Sequence, residues 1–314
     1  MYLPALHRIL FCCLLAGLGV LVSGDVTGQR TVNLLRADLP APGRPVVRAA
    51  SEVATENFDF DRNLIFFEAM VDGRPGNFIL DTGVPTLVMN TRGETSARAS
   101  FTGMGSGGDV RLTDHRVDHF EMLGRSVDNY WAIGLDLRDM ESRTGKQIDG
   151  FVGYDLLNDG ELRIDYVQET FQLLPSRRRP EHGGRAPVAT LRFTLVDHLP
   201  VVQLRIDGRR YSFAIDTGAG LNLLADWAAD ALPTVPGHRT MNVQGLDGRP
   251  TDYPVLSLAL PDRLAGEEAL QLVRADLSHL QDPGATRLAG ILGSSFLSRY
   301  TVGIDYRRRK IYLW

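Results

Sequence analysis

Short apolar runs set between turn-forming residues recur along this chain, and that pattern predicts strands rather than long helices. Leu64 to Val71 is one such run and Phe78-Ile79-Leu80 another. Asp72-Gly73 and Pro75-Gly76 stand between them, so a strand, a turn and a second strand are expected, with Asp81 at the tip. The succession returns. Asp207-Gly208 precedes Phe213-Ala214-Ile215, which ends on Asp216, and residues 58–81 lie over residues 193–216 without a gap at a constant offset of 135. Leu223 to Ala231 differs in having helical character, with Trp227 among alanines. The chain closes on Trp314, an apolar residue that suits a final strand paired into a sheet.

The two copies also end alike. Phe151-Val152-Gly153 follows the first and Ile291-Leu292-Gly293 the second, and 12 residues beyond each glycine stands an Asp-Tyr pair, Asp165-Tyr166 and Asp305-Tyr306. Six residues past each Asp lies an apolar strand end, Phe171 to Leu174 and Ile311 to Trp314. Two copies of over a hundred residues each are duplicated lobes, not a solenoid of short repeats.

At the tip of each copy the tripeptide is the same, Asp81-Thr82-Gly83 and Asp216-Thr217-Gly218, each followed about 70 to 77 residues later by two apolar residues and a glycine. In this the chain resembles the aspartic peptidases, and among them the bacterial retropepsin-like proteins with both lobes fused in one chain. The resemblance covers roughly residues 58 to 314. It implies a mainly β, two-lobed acid-protease fold, with pseudo-twofold duplicated, β-barrel-like lobes and a central cleft. It implies an aspartic endopeptidase in which Asp81 and Asp216 share a proton and activate water against a peptide bond. Thr82 and Thr217 would reach across to the opposite loop, and Gly83 and Gly218 would let the backbone turn towards the carboxylates. Gly153 and Gly293 would brace the loops from beneath. A substrate flap is expected at Phe101, Gly103, Met104 and Gly105, with Gly245 in the matching place of the second copy. No metal or organic cofactor is implied, the partner is a peptide or protein substrate, and one chain supplies both acids, so a monomer suffices for the site.

One departure matters. Pepsin-like enzymes carry Ser or Thr directly after the triplet's glycine, whereas Val84 and Ala219 stand there in this chain; an Ala resembles the retroviral branch. A hydrogen bond lost from the charged form raises the proton affinity of the pair, so a weakly acidic optimum is expected. The same departure also suits a site that no longer cuts. The alternative function is therefore a catalytically inactive or dedicated peptide- or glycan-binding module with the same fold.

Composition leaves that picture standing. A chain of 314 residues suffices for two modest domains, 44% apolar with 23% charged is ordinary for a globular protein, and a net charge of −4 gives no reason to expect nucleic acid. Met1 to Gly24 reads as a secretory signal peptide, with Arg8 in front, Ile9 to Val22 as an apolar core of 14 residues and Val22-Ser23-Gly24 for cleavage. That core is shorter than the roughly 20 residues a bilayer span needs. The only cysteines, Cys12 and Cys13, fall inside it, so a mature chain without disulfides or a stable membrane span, periplasmic or secreted, is expected. The organisation that follows is 1–24 signal peptide, 25–57 N-terminal extension, 58–175 first lobe, 176–188 Pro/Gly-rich linker and 189–314 second lobe. Whether the extension is a linker or a strand of a sheet between the lobes is left open.

Two other patterns carry less. Gly103, Gly105, Gly107 and Gly108 superficially match a dinucleotide-binding pattern, but no apolar strand precedes them and no helix follows. His115 and His119, beside Asp114 and Asp118, would share a helix face and could hold a metal. Arg116, however, stands where a metallopeptidase helix carries its glutamate, and no third ligand is evident. The resemblance puts both histidines on one side of a strand, as a solvated charged face.

Overall fold

The computed structural model describes residues 9–14, 33–37, 53–94, 100–105, 108–244, 250–260, 264, 269–278 and 287–314. The protein is mainly β, and its described residues form one sheet of ten strands and one of thirteen. Helices among the described residues are short, the longest being Arg138–Thr144 with seven residues. No described helix is long and apolar enough to cross a membrane.

The strand Leu64–Val71 pairs antiparallel with Arg74–Leu80, placing Phe66 opposite Ile79 and Phe67 opposite Phe78. Asp72 and Gly73 between them have φ of 49° and 76°, the left-handed pair that a tight two-residue hairpin turn demands. The second hairpin, Leu199–Ile206 with Arg209–Ile215, repeats this: Val201 lies opposite Ala214, Val202 opposite Phe213, and Asp207 and Gly208 have φ of 47° and 77°. A third strand runs parallel to each acid-bearing strand, with Val152 beside Leu80 and Leu292 beside Ile215. Its other edge pairs antiparallel with a short strand, Phe151 with Val88 and Ile291 with Leu223. Pair for pair, the second register is the first displaced by 135 or 140 residues.

The strands do not divide between the sheets at the linker. Glu161–Asp165 and Thr170–Leu174 from the first copy, and Thr55–Asn57 from the extension before it, lie in the thirteen-stranded sheet, beside Thr301–Asp305, Lys310–Leu313 and Ala189–Val196. The junction is antiparallel: Glu161 faces Asp305, Arg163 faces Gly303 and Asp165 faces Thr301. These two strands are equivalent at an offset of 140, so the pairing maps onto itself about Arg163 and Gly303, a local twofold relation. Glycine leaves room for a side chain at that centre. A Cβ on Gly303 would fall 2.5 Å from Glu161 Oε1, the oxygen that Arg163 grips at 2.6 and 2.9 Å. Arg163 in turn lies 4.6 Å from the centre of the Trp314 ring.

This crossing resolves the N-terminal extension in part, since Thr55–Asn57 is a strand of the joined sheet. Further forward, Ile9–Leu14 pairs with Asn33–Ala37, which pairs with Ser100–Gly105. The helical reading of Leu223 to Ala231 holds only from Asp226; Leu223–Ala225 is a strand, because it is hydrogen-bonded on both edges. His115 and His119 lie on the strand Gly108–Met122, where His119 Nδ1 meets Asp128 Oδ1 at 2.7 Å. Among the described residues no three His, Cys, Asp or Glu side chains converge on a common point.

Interdigitated rings fill the core. Phe67 meets Phe171 edge to face at 4.9 Å and Phe78 meets Phe120 at 5.3 Å, all four buried. Such pairs add about 0.5–1.5 kcal/mol to the burial of their area, and they hold the acid-bearing strand from below.

Candidate active site

Asp81 follows the last residue of Arg74–Leu80, and Asp216 follows the last of Arg209–Ile215. Each begins its loop tied to the parallel strand alongside: the Asp81 amide donates to the Val152 carbonyl at 3.0 Å and the Asp216 amide to that of Leu292 at 3.1 Å. Each loop then folds back on its own acid, for Gly83 N–H donates to Asp81 Oδ1 at 2.8 Å and Gly218 N–H to Asp216 Oδ1 at 2.9 Å. Both carboxylates are wholly buried.

The loops interlock. Thr82 N–H donates to Thr217 Oγ1 at 3.0 Å and Thr217 N–H donates to Thr82 Oγ1 at 3.0 Å. Thr217 spends its own hydroxyl proton on the Leu80 carbonyl at 2.9 Å. A Cβ built on Gly83 would lie 2.5 Å from Asp216 Oδ1, and one on Gly218 would lie 2.1 Å from Asp81 Cγ. Each glycine therefore passes directly under the opposite acid, and only a residue without a side chain fits there. The crossing brings the two carboxylates to one place.

Gly153 and Gly293 sit beneath. A Cβ on Gly153 would fall 2.4 Å from the Val84 carbonyl and 2.5 Å from that of Thr86, and one on Gly293 2.2 Å from the Ala219 carbonyl and 2.3 Å from that of Leu221. The next amide fastens each loop, Tyr154 N–H to the Val84 carbonyl at 2.9 Å and Ser294 N–H to that of Ala219 at 2.7 Å. Val84 and Ala219 are fully buried.

Of the residues expected in a flap, Phe101, Gly103, Met104 and Gly105 lie on Ser100–Gly105, paired antiparallel to Gly108–Met122 with Gly105 opposite Gly108. Gly245 lies outside the described residues, between the paired strands Val235–Gln244 and Pro250–Leu258.

Several residues at the site carried no motif. His198 donates from Nε2 to the Gly83 carbonyl at 2.7 Å, and Asn63 donates from Nδ2 to the Gly220 carbonyl at 2.8 Å. Burial pushes the His198 imidazole down to about 4, against the upward pull of its bond to Gly83. Thr86 Oγ1, Tyr130 OH and Asp155 Oδ2 form a closed triangle of hydrogen bonds. Both hydroxyls donate to Asp155 Oδ2. Burial pushes the Asp155 carboxyl up to about 7, opposed by those two bonds. Tyr306, from the second of the repeated Asp-Tyr pairs, is buried, and its hydroxyl is held neutral first by that burial and then by the charges of Tyr154, Asp216 and Asp81. The signal that could have found Asn63 and His198 is the 135-residue offset itself, which superposes one on the other.

Residues 202–296 match the model of the aspartyl protease family. The match runs from within the strand Leu199–Ile206 into the helix Ser294–Leu297 and so encloses Asp216-Thr217-Gly218 and Gly293. No curated protein matches the chain.

Proposed function

We propose that this protein is an exported, retropepsin-like aspartic endopeptidase whose two copies form the two lobes of one enzyme. The observation that carries the reading is the reciprocal threonine bonding, at 3.0 Å in both directions, which locks two buried Asp loops at one crossing. The aspartyl protease match over residues 202–296 supports it from the second copy. The 135-residue offset extends the same reading to Asp81.

The chemistry follows from two carboxylates that cannot both ionise at short range, so that one holds a proton and one does not. The ionised acid takes a proton from water as the water oxygen attacks the peptide carbonyl carbon. The other acid protonates the carbonyl oxygen, and a tetrahedral diol results. Collapse of the diol returns the carbonyl, breaks the C–N bond and passes a proton to the departing amine. An extended peptide in the cleft, held by backbone hydrogen bonds and apolar pockets, is the substrate class. The apolar leader at residues 9–22 supports export to the periplasm or beyond.

A peptide-binding module would use the same cleft but has no need to hold two acids together. The deciding experiment is hydrolysis of an unbiased peptide library from pH 3 to 8 by the wild type, Asp81→Asn and Asp216→Asn. Cleavage abolished in both variants establishes the pair. Cleavage that survives in either, or is absent from folded wild type, rejects it.

A further inference from the structure

Two hairpin turns, one in each copy, extend a polar side chain into the loop of the opposite acid, and their chemistry differs. Asn63 reaches the Gly220 carbonyl and His198, its equivalent at an offset of 135, reaches the Gly83 carbonyl. A carbonyl can only accept, so His198 Nε2 must carry the proton and a neutral ring leaves Nδ1 as a bare lone pair. His198 is 3% exposed, and its Nδ1 is buried with no hydrogen-bond partner among the described residues. The titratable groups around the ring are Tyr154 at 6.3 Å, Tyr306 behind it at 5.3 Å from Tyr154, Asp81 on the bonded loop and Asp197 in its own turn. A second proton would make a buried cation whose new N–H has no acceptor.

We infer that His198 is a positioning residue for the Asp81 loop: as a neutral donor it fixes the Gly83 carbonyl from the opposite copy, and on protonation it releases that loop and sets an acid limit to the site. Gly83 is then held at both its polar atoms, its N–H by Asp81 Oδ1 and its carbonyl by His198. The amide of Asn63 does not titrate, so the Asp216 side keeps its latch as the pH falls. The acid sensitivity is one-sided. Its catalytic consequence rests on the peptidase reading; the latch itself does not.

The test is His198→Asn, which gives position 198 the donor that position 63 already has, together with His198→Ala. In pH profiles with a cleaved peptide, His198→Asn should keep kcat near pH 6 within about threefold and move the acid limb down by roughly one pH unit. His198→Ala should lose about tenfold or more in kcat with KM little changed. An acid limb unmoved in His198→Asn, or full kcat in His198→Ala, overturns the inference. A second readout needs no turnover: denaturant unfolding at pH 4 and 6.5 in the Asp81→Asn/Asp216→Asn background. Relative to its His198→Asn derivative, that background should gain stability with rising pH. That gain without any wild-type cleavage would reject the peptidase and keep the latch; cleavage without the gain would reject the latch alone.

Discussion

Thr82 and Thr217 each give a backbone amide to the other's hydroxyl, both at 3.0 Å, but only Thr217 is also seen to donate its hydroxyl proton onward, to the Leu80 carbonyl. The exchange is symmetric in its amides and unequal in its hydroxyls. Thr217→Val should therefore cost more than Thr82→Val. Each variant leaves a buried amide unpaired, worth about 1–3 kcal/mol, and Thr217→Val orphans a buried carbonyl as well. Denaturant midpoints of the two variants beside Thr82→Ser and Thr217→Ser check the order, since serine keeps the hydroxyl and should stay near wild type.

Gly83→Ala and Gly218→Ala should cut turnover sharply while leaving the chain folded. Their methyl groups would sit 2.5 Å and 2.1 Å from atoms of the opposite acid, against an ordinary carbon contact of about 3.5–4.0 Å. Relieving that overlap displaces a carboxylate by about 1 Å, which is enough for a loss of roughly 100-fold in kcat/KM. Overpacking of this kind costs about 1–3 kcal/mol of stability. Parallel measurement of kcat/KM and unfolding separates the two effects, and an Ala variant with wild-type turnover would mean that the loops are not crossed as described.

The parts of this site that repeat were legible in the sequence, and the parts that break the repeat were not. The Asp-Gly turns, the acid at each strand tip and the glycines beneath all recur at a fixed spacing, and each has a local steric cause that one residue type satisfies. Strand membership did not read out. Thr55–Asn57, Glu161–Asp165 and Thr170–Leu174 look like any short strands, and only long-range pairing places them in the sheet of the second copy. His198 and Asp155 were missed for a related reason. The 135-residue offset marks position 198 as the equivalent of Asn63 but not what it bonds, and a lone Asp155 carries no signal until burial and partners from distant segments give it one.

Placed in the His198→Asn background, where the histidine no longer limits the acid side, Ala219→Ser should move the acid limb of activity to lower pH. Ala219 is fully buried next to Gly218, where a hydroxyl could bond the ionised carboxylate and favour that form. A shift of about one pH unit is expected, with Ala219→Val as the control that adds bulk and no donor. The wild type, with apolar residues at both such positions, should peak at weakly acidic pH. A wild-type optimum below about pH 3 would contradict this account of Val84 and Ala219.

Asp155 and His198 should pull stability in opposite directions over the same range of pH. Asp155 is raised from its ordinary 3.8 to about 7, so its contribution is complete below pH 3.8 and is lost as the pH rises through 7. His198 is lowered from 6.5 to about 4, so the unfolded chain binds the extra proton between those values and stability is lost as the pH falls from 6.5 to 4. The two effects, on the order of 4 and 3 kcal/mol at full extent, largely cancel between pH 4 and 6.5. Asp155→Asn keeps the triangle with Thr86 and Tyr130 but removes one slope, so its stability should rise with pH across that interval. His198→Asn removes the other, and its stability should fall with pH. Urea unfolding of both variants at half-unit steps from pH 4 to 7 reads the two slopes directly. Slopes of the same sign would show that one of these groups is not held neutral by the fold.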